Sequence, residues 1–170
     1  MSLIIETGSS VQGAEAWASV EYVDEYWSKR PQRIYATQWD ALTTEQKEGC
    51  IREATARIDA LDQDFIGVRR GSVQGLCWPR VEAFDAAGYE WPDIPDQLLR
   101  ATAELAVRAS SAELRPDLAQ TGGIASASAG SVSVTFASGS DGAGASPHKL
   151  HTAAMDILGP LIMQRGWSWA

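Results

Sequence analysis

The stretch from Gly71 to Pro95, GSVQGLCWPRVEAFDAAGYEWPDIP, constrains the fold more than any other part of the chain. It lies between two segments with helical apolar spacing and has no such period itself. Its 25 positions carry two Trp-Pro pairs, glycines and several large apolar side chains. Irregular connections of this length are uncommon inside compact domains, and this one is too apolar to stay disordered. It therefore has to lie on a core. Trp78-Pro79 and Trp91-Pro92 are expected to pin it there as a rigid platform. Proline lowers the entropy lost on ordering, and each tryptophan brings a large surface to bury.

The flanking segments supply that core. A helix is expected to start after Ser19, with Glu21 in its first turn and Pro31 as its stop. Val20, Val23 and Trp27 share a face there, with Tyr22 and Tyr26 beside them. A second helix opens with Thr43 as N-cap and Gln46 three residues on, a capping-box pattern. Its stripe runs through Ile51, Ala54, Ile58 and Leu61, and it should end near Leu61 or Asp62. After the connection, Pro95 suits the first turn of a third helix, stopped by Pro116. Leu98, Thr102, Leu105 and Ala109 form one face of it and Leu99, Ala103 and Ala106 another, the pattern of a central helix.

Composition changes at residue 121. Residues 121–146 are mostly Gly, Ser and Ala, and within them Val132, Val134 and Phe136 alternate with Ser and Thr as in a strand. Its partner is either residues 124–128 or another chain. Ser146 and Pro147 then open a last helix, which Gly159-Pro160 should break. An apolar tail with Ile162, Trp167 and Trp169 follows. The expected fold is mainly α: a small helical bundle with an inserted β-strand or hairpin flap and an extended C-terminal tail. Residues 1–120 would form the helical core with its 62–94 connection, 121–146 the β flap, and 147–170 the C-terminal helix and tail.

A charge of −8 argues against a protein whose main work is gripping phosphates. No apolar run is long enough for a membrane span, and the N-terminal patch lacks the basic region of a signal peptide. Cys50 and Cys77 read as reduced cytosolic thiols rather than a disulfide framework. His148 and His151 lack partners for a metal site, no phosphate loop or nucleophile elbow occurs, and no cofactor is implied. Asp59, Asp62 and Asp64 lack the frame of a calcium loop and read as exposed charges. An enzyme is not expected.

Three stretches together resemble the head-to-tail connector (adaptor) proteins of tailed bacteriophages, some of which carry the label "putative DnaT-like single-stranded DNA-binding protein". They are SVEYVDEYW (Ser19–Trp27), WDALTTEQKEGCIREATARIDAL (Trp39–Leu61) and GLCWPRVEAFDAAGYEWPDIPDQLLRATAELAVRA (Gly75–Ala109). The likeness covers about residues 1–118. It implies a virion neck protein made in the host cytoplasm, a homo-oligomeric ring, dodecameric in related phages, between a portal protein and a stopper or tail-completion protein. Packaged double-stranded DNA would pass through without specific binding. On that reading Ile162, Trp167 and Trp169 are portal-binding anchors, because tryptophan is favoured as an interface hot spot. Val132, Val134 and Phe136 would meet a neighbouring subunit or the stopper, and Asp59, Asp62 and Asp64 would line the lumen. The alternative is a single-stranded DNA-binding protein of a phage replication system. It would need basic residues interleaved with aromatic rings, drawn from Arg33, Arg69, Arg70 and Arg80.

Overall fold

Ser19 begins the first helix as its residue type predicts. In the computed structural model its side-chain oxygen accepts the N–H of Tyr22 at 3.2 Å, capping α1 (Val20–Ser28). The structure describes residues 3–114, 126–129, 132–135 and 152–163. Val23, Tyr26 and Trp27 are the buried face of α1. After Pro31 comes a helix that the sequence did not announce, α2 (Ile34–Asp40), anchored by Ala36 and Trp39. Two buried positions over seven residues are too short a repeat to register as a period. The capping box of α3 (Thr44–Asp59) forms in both directions: Gln46 N–H donates to Thr43 Oγ1, and Thr43 N–H donates to Gln46 Oε1. Ile51, Ala54, Thr55 and Ile58 face the core. The helix ends at Asp59, short of the expected Leu61, and a 3-10 turn follows over Asp62–Asp64.

The third expected helix is α4 (Asp96–Ala109), with Pro95 as its N-cap rather than its first helical residue. Leu98 and every residue from Ala101 to Val107 are buried, and α4 packs on α1, α2, α3 and α5, so it is the central helix. It ends well before Pro116. The hydroxyls of Ser110 and Ser111 donate to the carbonyls of Val107 and Arg108 and take up acceptors that the helix end leaves free. α5 (Thr152–Leu158) stops where Gly159-Pro160 predicts, passing into a 3-10 turn at Gly159–Leu161. Among the described residues no helix is long and apolar enough to cross a membrane.

The long connection folds onto this bundle. Strand β1 (Val68–Arg69) pairs antiparallel with β2 (Arg80–Val81), and Phe84 bridges Glu90. Trp78 is fully buried, edge to face with Phe65 at 6.1 Å, and the Trp78–Pro79 peptide is cis. Pro79 is buried as well, whereas Trp91 is half-buried and Pro92 exposed. The two pairs thus sit at different depths. Polar groups hold the rest: the buried Arg80 donates to the carbonyls of Ile66, Gly67 and Cys77, and Gln74 donates to those of Leu76 and Pro79. Gly67 has φ +70°, and a Cβ there would lie 2.5 Å from the Val81 carbonyl oxygen, so this crossing requires glycine.

The chain divides into two compact units, residues 1–114 with 150–170, and residues 115–149. In the second, β3 (Ser126–Ala129) pairs antiparallel with β4 (Val132–Thr135), with Ala127 opposite Val134 and Ala129 opposite Val132. Of the two partners open to the Val132–Val134 strand, its own chain supplies one. The fold is mainly helical with a small two-stranded hairpin. Phe136, Trp167 and Trp169 lie outside the described residues. Ile162 is half-buried and pairs with Phe65 of its own chain, and backbone bonds from Ile66 to Leu161 and from Met163 to Asp64 flank that bridge.

Candidate functional site

The aspartates at the end of α3 do not form an open acidic surface. Asp59 accepts the N–H of Cys77 at 2.6 Å, and Asp62 accepts from Arg69 at 3.1 Å and Arg80 at 2.7 Å. Burial opposes the ionised form of Asp62, yet the two arginine hydrogen bonds and charges hold its carboxyl below the ordinary range. Asp64 is half-buried, and its carbonyl accepts the N–H of Met163. A lumen that repels phosphate needs uncompensated charge, and Asp62 has given its charge to two guanidinium groups. The arginines of the connection are paired as well. Arg69 and Arg80 serve Asp62, while Arg70 pairs with Asp93 and donates to the Gly8 carbonyl. Each helps tie the connection down, and Arg80 alone of the three is buried.

Cations and rings meet elsewhere, where α1 crosses α4. Two ridges at i, i+4 spacing make that meeting. On α1 and the turn after it, Tyr22, Tyr26 and Arg30 follow one another. On α4 the ridge is Asp96, Arg100, Glu104 and Arg108, alternating in sign. Tyr22 donates its hydroxyl to Asp96 at 3.0 Å and Tyr26 donates to Glu104 at 2.8 Å, so the ridges are laced together.

The inner half of the seam is closed. The Glu104 side chain is 2% exposed and accepts from Tyr26, Arg33 at 3.0 Å and Arg108 at 2.8 Å. Arg33 lies over the rings of Trp27 and Tyr35, and Arg108 sits 4.6 Å from the centre of Tyr35. Burial, and then the bond to Glu104, push the Tyr26 hydroxyl up to about 12.

The outer half is open. Tyr22, Glu25, Tyr26, Lys29, Arg30, Asp96 and Arg100 line a groove of about 270 Å³. The Arg30 guanidinium stacks 3.6 Å from the centre of the Tyr26 ring and donates to the Tyr26 carbonyl, and among the described residues no carboxylate pairs with it. Lys29 meets Glu25 at 2.6 Å and Arg100 meets Asp96 at 3.8 Å, both pairs in solvent. Three cations against two carboxylates leave one surplus positive charge in a chain that is acidic overall. A second groove, between α3 and the end of α4, is lined by Leu42, Gln46, Gly49, Cys50, Glu53, Ala109 and Ser110. It holds a carboxylate and no cation, which is the wrong field for an anion. Burial, and then the charge of Glu53, raise its Cys50 thiol above the ordinary value and keep it protonated.

Of the arginines expected to carry basic character, only Arg33 belongs to the α1–α4 cluster, and it lies in the closed half. Lys29, Arg30 and Arg100 went unread. Their signal was the spacing, Tyr-Tyr-Arg on one ridge and Asp-Arg-Glu-Arg on the other, which reading α4 for apolar faces alone passes over.

Residues 1–170 match the family described as "Putative DnaT-like ssDNA binding protein". No curated protein and no solved structure matches the chain. The match overturns the neck-ring expectation. Portal, stopper, homo-oligomeric ring and duplex DNA passing without specific binding came with the connector likeness, whereas the family covering the whole chain is described by single-stranded DNA binding.

Proposed function

This chain belongs to the family of putative DnaT-like ssDNA-binding proteins, and we propose that it binds single-stranded DNA along the α1–α4 groove. The observation that carries this reading is the Arg30–Tyr26 stack beside Lys29 and Arg100. Binding a strand without reading its sequence takes cations that follow the phosphates and flat groups on which bases stack. A guanidinium plane serves as such a surface as well as a ring does. On this reading a base stacks on the Arg30 guanidinium, which lies over Tyr26, while Lys29 and Arg100 take the flanking phosphates.

The acidity of the chain then limits rather than forbids binding. The groove has a local positive surplus, and Glu25 and Asp96 line it as well. A single strand can lay bases and phosphates into the groove together. A duplex offers only its outer phosphates and meets the rim acids first.

Fluorescence anisotropy of a labelled oligothymidine at low salt tests the proposal. Arg30→Ala and Arg100→Ala should each weaken binding, Arg30→Ala the more, because it removes both charge and stacking plane, worth about 1–3 kcal/mol. Binding unchanged in both variants would remove the groove from the account.

A further inference from the structure

Two of the three groove cations already hold an anion, and it is the protein's own. Lys29 is paired with Glu25 and Arg100 with Asp96. Resting on the single-strand reading, we propose that Glu25 and Asp96 act as internal competitors for the phosphates, so that the groove binds by exchanging two side-chain carboxylates for two phosphates of the strand. Arg30, which has no carboxylate among the described residues, is the contact made without exchange.

Three features support an exchange. Glu25 and Asp96 are 64% and 63% exposed, so their pairs are the kind worth little in water and easily replaced. Neither released carboxylate is left stranded: Glu25 turns into solvent, and Asp96 remains in the first turn of α4, where the helix dipole favours its charge. Tyr22 keeps its acceptor throughout, since its bond goes to one oxygen of Asp96 and the ion pair to the other. Glu104 cannot serve in the same way. It is buried under Tyr26, Arg33 and Arg108, and withdrawing it would take the carboxylate from the buried Tyr26 hydroxyl and from Arg108.

The device sets affinity by charge competition rather than by shape. Removing a competitor should tighten binding by more than neutralising an exposed acid away from the groove, such as Glu45→Gln, does through the general field. Glu25→Gln and Asp96→Asn keep the size of each side chain, and Asn keeps a carbonyl oxygen for Tyr22. Each should bind labelled oligothymidine roughly two- to fivefold more tightly at low salt, the double variant more tightly still, and the gain should shrink as salt rises.

Wild type, Glu25→Gln, Asp96→Asn, the double variant, Glu45→Gln and Arg30→Ala are titrated side by side, with melting curves to verify folding. Tightening in Glu25→Gln and Asp96→Asn beyond that in Glu45→Gln, with weakening in Arg30→Ala, is the expected result. If Arg30→Ala weakens binding while those two bind no better than Glu45→Gln, the exchange is overturned and the single-strand reading stands. If no form binds the strand, both fall. Should Asp96→Asn fold poorly because a helix-start charge is lost, Glu25→Gln carries the test alone.

Discussion

The two ends of the charged ridge on α4 make opposite use of the same arrangement. Asp96–Arg100 and Glu104–Arg108 are each an acid followed four residues later by an arginine on one helix. At the second pair, Tyr26, Tyr35 and Arg33 close over the charges, and Glu104 is 2% exposed. At the first, Tyr22 reaches Asp96 through its hydroxyl, and Asp96 is still 63% exposed. Spacing alone says only that the charges can meet. What lies over them decides whether the pair holds the bundle together or remains available to an incoming anion.

Predictions that break this comparison begin in the interior. Trp78→Ala, which empties a fully buried site against Phe65, should cost about 3–5 kcal/mol in urea unfolding. A midpoint close to wild type would mean that the connection is not held by that ring. Glu104→Ala should cost about 2–4 kcal/mol, because it leaves the Tyr26 hydroxyl without its acceptor and the Arg108 charge without its carboxylate. The figure sits below the full buried-pair value because Arg33, 38% exposed, can turn to water. Glu25→Gln at the open end should leave the melting temperature where it is. Equal losses from Glu104→Ala and Glu25→Gln would erase the distinction between closed and open ends.

A smaller effect is expected from pH. Asp62 has its folded pKa depressed by Arg69 and Arg80 against the opposing influence of burial. Its contribution is therefore present above the unfolded value, about 4 for an aspartate, and is lost as pH falls through the folded value. Wild-type stability should drop on acidification below about pH 4, and the Asp62→Asn curve should be flatter over that window. Parallel acid limbs in the two proteins would show that the Asp62 contacts do not stabilise the fold.

How far the sequence could be read follows the same division. Features set within one turn of helix were legible: the Ser19 cap, the Thr43–Gln46 box, the apolar faces of α4 and the stop at Gly159-Pro160. α2 escaped because two anchors in seven residues make no period. Charge pairing across the chain escaped for a different reason. Asp62 and Arg80 are 18 residues apart, and nothing local says that an arginine in a Trp-Pro-Arg run will return to neutralise the end of α3. Asp62 therefore read as a free charge, when Arg69 and Arg80 both pair with it. The site lay in between. Its residues follow an i, i+4 rule visible in one dimension, yet which half would be covered depends on where Tyr26 and Tyr35 pack.

The central claim is that the open end of this seam takes a single strand, and a salt titration tests it most directly. Three groove cations neutralising phosphates predict that log affinity for oligothymidine falls against log salt with a slope of about −2. Arg100→Ala should lower the slope by about 0.7, and a duplex of the same length should bind more weakly than the single strand. No binding at low salt, or a slope that ignores the loss of Arg100, would contradict the account.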